Sequence, residues 1–399
     1  MDLFSGLTYY WTGLVASTLL ALNLMFGSAL ATLTSLSSSF EEQLSAYGID
    51  IDLAQEPRAH TTAIPIPAAT STSVASVPLV SSTATTTKKI PTKKPATPAT
   101  TVATPTTPQT PLTPIIAPEQ VNTSARASIV NILCIAQGAG GVRSISGSGV
   151  IIDTRGVVLT NAHIAQYLLL RDYSSKNAID CTVRTGSPAT PSYRATLLYL
   201  PPAWIEANAS QIIAEQGMGT GEHDYAFLYI TESTNPSGTL PSSYTNVSMS
   251  SASPTTGDGV LVAGYPAGFL DGQTIQKSLY PTSAFTNIGQ LYTFNAASNV
   301  DVVSVGGTVV SQGGSSGGAV LRTYDGKLVG LISTATAGTT TASRDLRAIT
   351  IGYIDRDLRE SGKGGLVEFL SENLASIAAA FAQKSFIDEK QALVNVITH

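Results

Sequence analysis

Cysteine and histidine are both scarce in this 399-residue chain. Cys134 and Cys181 are the two cysteines, and His60, His163, His223 and His399 the four histidines. Neither cysteine belongs to a C-x-x-C pair, and no zinc-type spacing of Cys and His occurs, so no metal site is expected. Charge is scarce too: Asp, Glu, Lys and Arg make up 12% of the chain, with a net charge of −5. Clustered Lys and Arg, the mark of a nucleic-acid partner, are missing. No G-x-x-x-x-G-K occurs, and no G-x-G-x-x-G follows a strand, so no phosphate-cradling loop for a nucleotide cofactor is expected.

What is present divides along the chain. Residues 11–36, "WTGLVASTLLALNLMFGSALATLTSL", carry no charge. About 20 apolar residues suffice to cross a bilayer as a helix, so residues 1–36 read as a membrane anchor or signal segment. "ALA" at 29–31 fits a small-residue cleavage site, but the first basic residue is Arg58, so the basic n-region of a signal peptide is missing. An uncleaved transmembrane anchor is the expectation. Residues 37–118 turn Thr/Pro/Ala-rich, as in "SSTATTTKKIPTKKPATPATTVATPTTPQTP". Such composition buries too little apolar surface to offset chain entropy and reads as a disordered stalk.

From residue 119 to 361 the pattern is β. "ASIVNILCIA", "SISGSGVIID", "GVVLTNAHI", "IDCTVRTG", "SYRATLLYL" and "DYAFLYITE" are short runs rich in Val, Ile, Leu and Tyr, punctuated by turn residues. After a polar break near 232–256 come "DGVLVAGYP", "QLYTFNAA", "NVDVVSVGGTVV", "GGAVLRT", "KLVGLIST" and "LRAITIG". An all-β domain of two consecutive six-stranded antiparallel barrels is expected. In the segment 362–399, Leu366, Phe369, Leu370, Leu374, Ile377 and Phe381 recur at helical spacing, predicting one amphipathic C-terminal helix to about Ile397.

Two serines sit among four glycines in "GGSSGGAV", 313–320. Ser316 fits G-x-S-G-G, and a nucleophilic serine needs small neighbours so that backbone N–H groups can face a carbonyl. It also needs a base and an orienting acid. Of the histidines, His163 is placed for this, between an apolar strand and a short helix in "VVLTNAHIAQYL". Asp224, at the mouth of the strand "YAFLYI", is the candidate acid; Glu222 and Asp258 read as loop acids and His223 as a loop residue. The order His, Asp, Ser excludes an α/β-hydrolase, whose serine comes first and opens a helix.

These motifs resemble those of chymotrypsin-fold, trypsin-like serine proteases, nearest to the bacterial HtrA type. "SGSGVIIDTRGVVLTNAHI" is similar to their approach to the catalytic histidine, "HDYAFL" to their aspartate strand, and "GGSSGGAVLRTYDGKLVGLIST" to their serine loop and hairpin. The resemblance covers about 125–355. It implies a serine endopeptidase acting on peptide or protein substrates, with Ser316 as nucleophile, His163 as base then acid, and Asp224 as orienting acid. It further implies an oxyanion hole from the N–H groups of Gly314 and Ser316. By the same resemblance the specificity pocket has its base near Val310 and its wall at Ile332, Ser333 and Thr334; no acid lies there, so a small apolar pocket is expected. HtrA-type enzymes usually add a PDZ domain, for which 362–399 is too short. In the chymotrypsin-like topology the strands of Cys134 and Cys181 are neighbours, which implies a possible disulfide; the alternative is two buried thiols. With the apolar N-terminal run and the stalk, the expectation is a membrane-tethered, extracytoplasmic protease. A pseudoprotease that binds peptides and an adhesive head on a stalk are the rival readings. Oligomeric state is not encoded legibly.

Overall fold

The computed structural model describes residues 100–101, 115–138, 141–173, 175–213, 219–295 and 299–398. The expected anchor and most of the expected stalk lie outside them. Among the described residues no helix is long and apolar enough to cross a membrane. At the stalk's end, Thr100–Thr101 form a short strand, β1, paired with Tyr292 and Thr293. Helix α1, Pro118–Ser128, follows with Pro at its first turn, where a missing N–H costs nothing.

The first barrel closes as expected. Its strands are β2 (Ile129–Gly138), β3 (Gly141–Asp153), β4 (Val157–Thr160), β5 (Ile179–Thr185), β6 (Thr190–Tyr199) and β7 (Ala226–Ser233). They pair in the order β2-β3-β4-β7-β6-β5, and β5 returns to β2. Cys134 lies directly opposite Cys181 across that closing seam, and the two are disulfide-bonded. Alternation along β4 and β7 fills the interior: Val158, Ala226 and Leu228 join Val130 and Ile132 in one buried cluster. Helix α2 (Ala162–Leu169) leaves the end of β4, and α3 (Pro202–Asn208) follows β6.

The second half differs from the expected six-stranded barrel. Its strands are β8 (Gly259–Gly264), β9 (Thr282–Asn287), β10 (Leu291–Thr293), β11 (Val302–Gly306), β12 (Ala319–Arg322), β13 (Leu328–Ala335) and β14 (Leu346–Thr350). With β1 they form one curled eight-stranded sheet, β1-β10-β11-β14-β13-β12-β8-β9, that does not close into a barrel: β1 and β9 are its edge strands. A side-chain bond, Thr286 Oγ1 to Val305 O at 3.1 Å, links β9 to β11. Strand β9, "TSAFTN", escaped the sequence reading because it is an edge strand with polar residues at most positions. A short helix, α4 (Gly272–Lys277), precedes it, capped by Asp271.

The expected single C-terminal helix is also corrected. Thr350 ends β14 and caps α5, Ile351–Glu360, by accepting from Tyr353 N, so the last two residues of the final expected strand, Ile351 and Gly352, are helical. Then come α6 (Leu366–Ser371), α7 (Leu374–Gln383) and α8 (Ser385–Thr398). Asn373 breaks the continuous pattern: its side chain accepts from Ser376 N and starts a new helix. Buried Phe381 and Leu393 dock α7 and α8 into the apolar cluster of the first barrel.

Candidate active site

Strand β4 ends at Thr160, and Asn161 turns the chain into α2, which puts His163 in the helix's first turn. First-turn N–H groups have no intrahelical acceptor. The Asp224 carboxylate supplies one, accepting from His163 N at 3.0 Å. The same carboxylate meets the imidazole: His163 Nδ1 lies 2.8 Å from Asp224 Oδ2 and 3.1 Å from Oδ1. Asn161 Nδ2 donates to Asp224 O at 2.7 Å, which locks the acid's backbone to the helix cap. Ser333 Oγ adds a third donor, 2.7 Å from Asp224 Oδ2. Asp224 is 4% exposed, so this carboxylate has exchanged water for protein donors. Burial works against charge on both partners, yet attraction and hydrogen bonding prevail. His163 titrates above its ordinary 6.5 and Asp224 below its ordinary 3.8.

The serine loop explains its glycines sterically. Gly314 and Gly317 have φ of +89° and +84°. A Cβ on Gly314 would lie 2.7 Å from Tyr265 O, on Gly317 2.0 Å from Ser148 O, and on Gly318 2.4 Å from Ala263 O. The turn therefore packs backbone on backbone, which only glycine permits.

Two peptide groups of the loop are held from behind. Ala267 N donates to Gly313 O at 2.7 Å, and Gly318 N to Ser315 O at 2.9 Å. In a trans peptide the N–H points opposite the carbonyl. Gly314 N–H and Ser316 N–H thus face away from those bonds, and neither donates to a protein acceptor among the described residues. Two unpaired N–H groups beside Ser316 are what an oxyanion requires.

Ser148 of β3, in the first barrel, fastens this loop of the second half. Its Oγ donates to Gly314 O at 2.8 Å and accepts from Tyr265 N at 2.8 Å, while its N–H donates to Ser316 O at 2.7 Å. The Ser316 hydroxyl itself donates to Ser333 O at 3.4 Å. No hydrogen bond joins it to His163 among the described residues. His163, Asp224 and Ser316 line one cleft of about 660 Å³.

Of the expected pocket residues, Ile332, Ser333 and Thr334 line that cleft. Val310 does not: it is fully buried in the apolar cluster of the second sheet, with Val260, Val305 and Ile332. The chain turns inward at Val310 because an apolar side chain gains more in that core than at a wet cleft. Ser311, Gln312 and Gly313 line the cleft instead, together with Arg344. Ser333 has two jobs beyond a wall, since a bulge in β13 between Ile332 and Thr334 lets its hydroxyl reach Asp224 while its carbonyl faces Ser316.

His223 is a loop residue as expected, with φ +56°, but it is not idle. Its Nδ1 lies 2.8 Å from Asp357 Oδ1 on α5, and Tyr225 Oη donates to Asp357 Oδ2 at 2.8 Å. Asp357 is 134 positions further along the chain than His223, so no local signal could have announced it. Ser148 and Asn161 stood inside quoted motifs, but their bonding roles depend on how the two halves meet.

The fold of this site agrees with comparisons to known proteins. Residues 147–331 match the family model of the trypsin-like peptidase domain. Among solved structures it is similar to the active form of the Rv3671c protease from M. tuberculosis, at 19% identity and a TM-score of 0.39, covering 66% of this chain and 96% of that one. It is also similar to Deg5, at 18% identity and a TM-score of 0.39, covering 60% of this chain and 90% of that one. No curated protein matches.

Proposed function

We propose that this trypsin-like peptidase domain is a serine endopeptidase with Ser316 as nucleophile, His163 as base and Asp224 as orienting acid. The observation that carries the reading is the bonding of one buried carboxylate to two of the His163 nitrogens, backbone N and ring Nδ1, in the cleft that holds Ser316. Nδ1–H donates to Asp224, so the tautomer leaves Nε2 free to accept a proton.

The steps follow from that. Rotation about the Ser316 χ1 bond turns the hydroxyl from Ser333 O to the imidazole. His163 takes the Ser316 proton as Oγ bonds to the scissile carbonyl carbon. Negative charge develops on the carbonyl oxygen, against Gly314 N–H and Ser316 N–H. His163 then gives the proton to the leaving amine as the C–N bond breaks, and a water repeats the sequence on the acyl group.

An extracytoplasmic location, tethered through residues 11–36, belongs to the same proposal. The Cys134–Cys181 disulfide supports it, because such bonds persist in oxidising compartments. A second reading, a silent peptide binder, draws on the contact of Ser316 Oγ with Ser333 O in place of His163.

Incubation with an unfolded protein substrate separates the two. New N-termini, found by mass spectrometry with the wild type and absent with Ser316→Ala, support the endopeptidase. A folded wild type that binds the substrate and leaves it intact supports the second reading.

A further inference from the structure

The charge in the cleft points to its substrate class, on the premise that the cleft is the peptidase site just proposed. Segments 311–313 and 332–338 line the cleft next to Ser316. Arg344, which precedes β14, ties them together: Nε donates to Gly338 O at 3.0 Å and Nη1 to Ser311 O at 3.3 Å. Its guanidinium also lies 5.6 Å from the centroid of the Phe269 ring.

Arg344 joins no ion pair among the described residues. The candidate partners are otherwise placed. Asp345, its neighbour, pairs with Arg347 at 3.0 Å and accepts from the Ser304 hydroxyl. Asp224 is bound to His163. Glu222 is an exposed residue of the segment that leads into Asp224. A guanidinium has five N–H donors, and carbonyls hold only two of these. The remaining lining here is apolar or neutral, with Ile332, Ala335 and Leu346 among it. Glu222 and Asp224 line the same cleft, yet among the described residues neither forms an ion pair with this half-buried cation.

We infer that Arg344 makes this recess a subsite for an acidic side chain, Asp or Glu, on the residue whose carbonyl Ser316 attacks. A carboxylate there would take the open donors of the fork and neutralise the charge. A Lys or Arg side chain would meet a like charge in a partly desolvated recess, which is costly. Val310 and Ile332–Thr334, on which the expected small apolar pocket rests, carry no charge, whereas this cation reaches the cleft from the far side of the following loop.

The test compares fluorogenic peptides that differ only before the cleaved bond: Glu, Asp, Gln, Asn, Ala and Lys. The expected result is a kcat/KM for Glu or Asp above that of the isosteric amide by about ten- to hundredfold, the worth of one charge-assisted hydrogen bond. Arg344→Gln should abolish that ratio, and Arg344→Lys should keep its sign. A wild type that cleaves the amide or Ala peptides as well as the acidic ones overturns the inference. So does an Arg344→Gln variant that lowers all peptides alike. If Arg344→Gln fails to fold, the wild-type ratio and Arg344→Lys decide. Calorimetric binding of the uncleaved Glu and Gln peptides to Ser316→Ala separates the two claims. Preference for Glu without any wild-type hydrolysis keeps the subsite and sinks the peptidase, while hydrolysis without an acidic preference does the reverse.

Discussion

Asp224 is the residue on which the site turns. It caps α2 through His163 N, holds the imidazole through Nδ1, and is itself held by Ser333 Oγ. Two pH effects follow from its pairing. His163, raised above 6.5, is protonated and useless as a base until pH exceeds its folded value. The acid limb of kcat/KM should therefore lie above 6.5. Asp224→Asn removes the negative charge and the right tautomer. It should lower kcat by about four orders of magnitude and move the limb down. A limb at or below 6.5 in the wild type would contradict the pairing. For stability the signs are opposite for the two partners. The raised His163 contributes fully below 6.5 and loses its contribution as pH rises through its folded value. The lowered Asp224 contributes above 3.8 and loses its contribution as pH falls through its own. The sequence announced these two residues because strand, polar turn and helix surround His163, and an apolar strand follows Asp224. It could not announce Ser333 as the acid's third donor, since that contact depends on a bulge in a distant strand.

Among the elements, the serine loop and the last helix carry separate predictions. In the loop, Gly317 combines φ +84° with a would-be Cβ 2.0 Å from Ser148 O. Gly317→Ala should cost about 2 kcal/mol or more and displace Ser316, read as a lowered midpoint in urea together with lost hydrolysis. Ser148→Ala leaves Gly314 O and Tyr265 N without that hydroxyl, costing about 1–3 kcal/mol. In α8, Glu389 is 4% exposed, and among the described residues neither carboxyl oxygen has a hydrogen-bond partner. Burial pushes its pKa up to about 8. Between 4.5 and about 8 the folded carboxyl keeps a proton that the unfolded one has lost, so stability falls as pH rises through that window. Glu389→Gln should flatten the fall, with a thermal midpoint equal to wild type near pH 4.5 and higher at pH 8. Equal slopes for both proteins would show that Glu389 is not buried as described. The periodicity of the tail gave its apolar face, but not the breaks. A helix end made by one Asn side chain looks, by composition, like any polar position on a helix surface.

At the scale of the molecule, the division of labour is between halves. The closed first barrel supplies His163 and Asp224, and the curled second sheet supplies Ser316 and Ser333. Twelve strand-forming runs were legible because alternating Val, Ile, Leu and Tyr betray a pleat with one buried face. The openness of the second sheet was not legible. β9, one of its two edge strands, carries too little apolar pattern to be seen. Asp357 was missed because it acts on a segment far away in sequence, and Arg344 because its reach to Ser311 depends on how the loop before β14 folds back. The seam of the first barrel carries the disulfide, 47 residues apart, and its loss by Cys134→Ser/Cys181→Ser should lower stability by about 2–4 kcal/mol. The measurement that tests the central claim most directly is covalent labelling of the folded protein with a fluorophosphonate, followed by peptide mapping. Phosphonylation of Ser316 alone is expected, slowed as pH falls below the raised His163 value and abolished in His163→Ala. A folded wild type that takes no label, or takes it on Ser315, would contradict it.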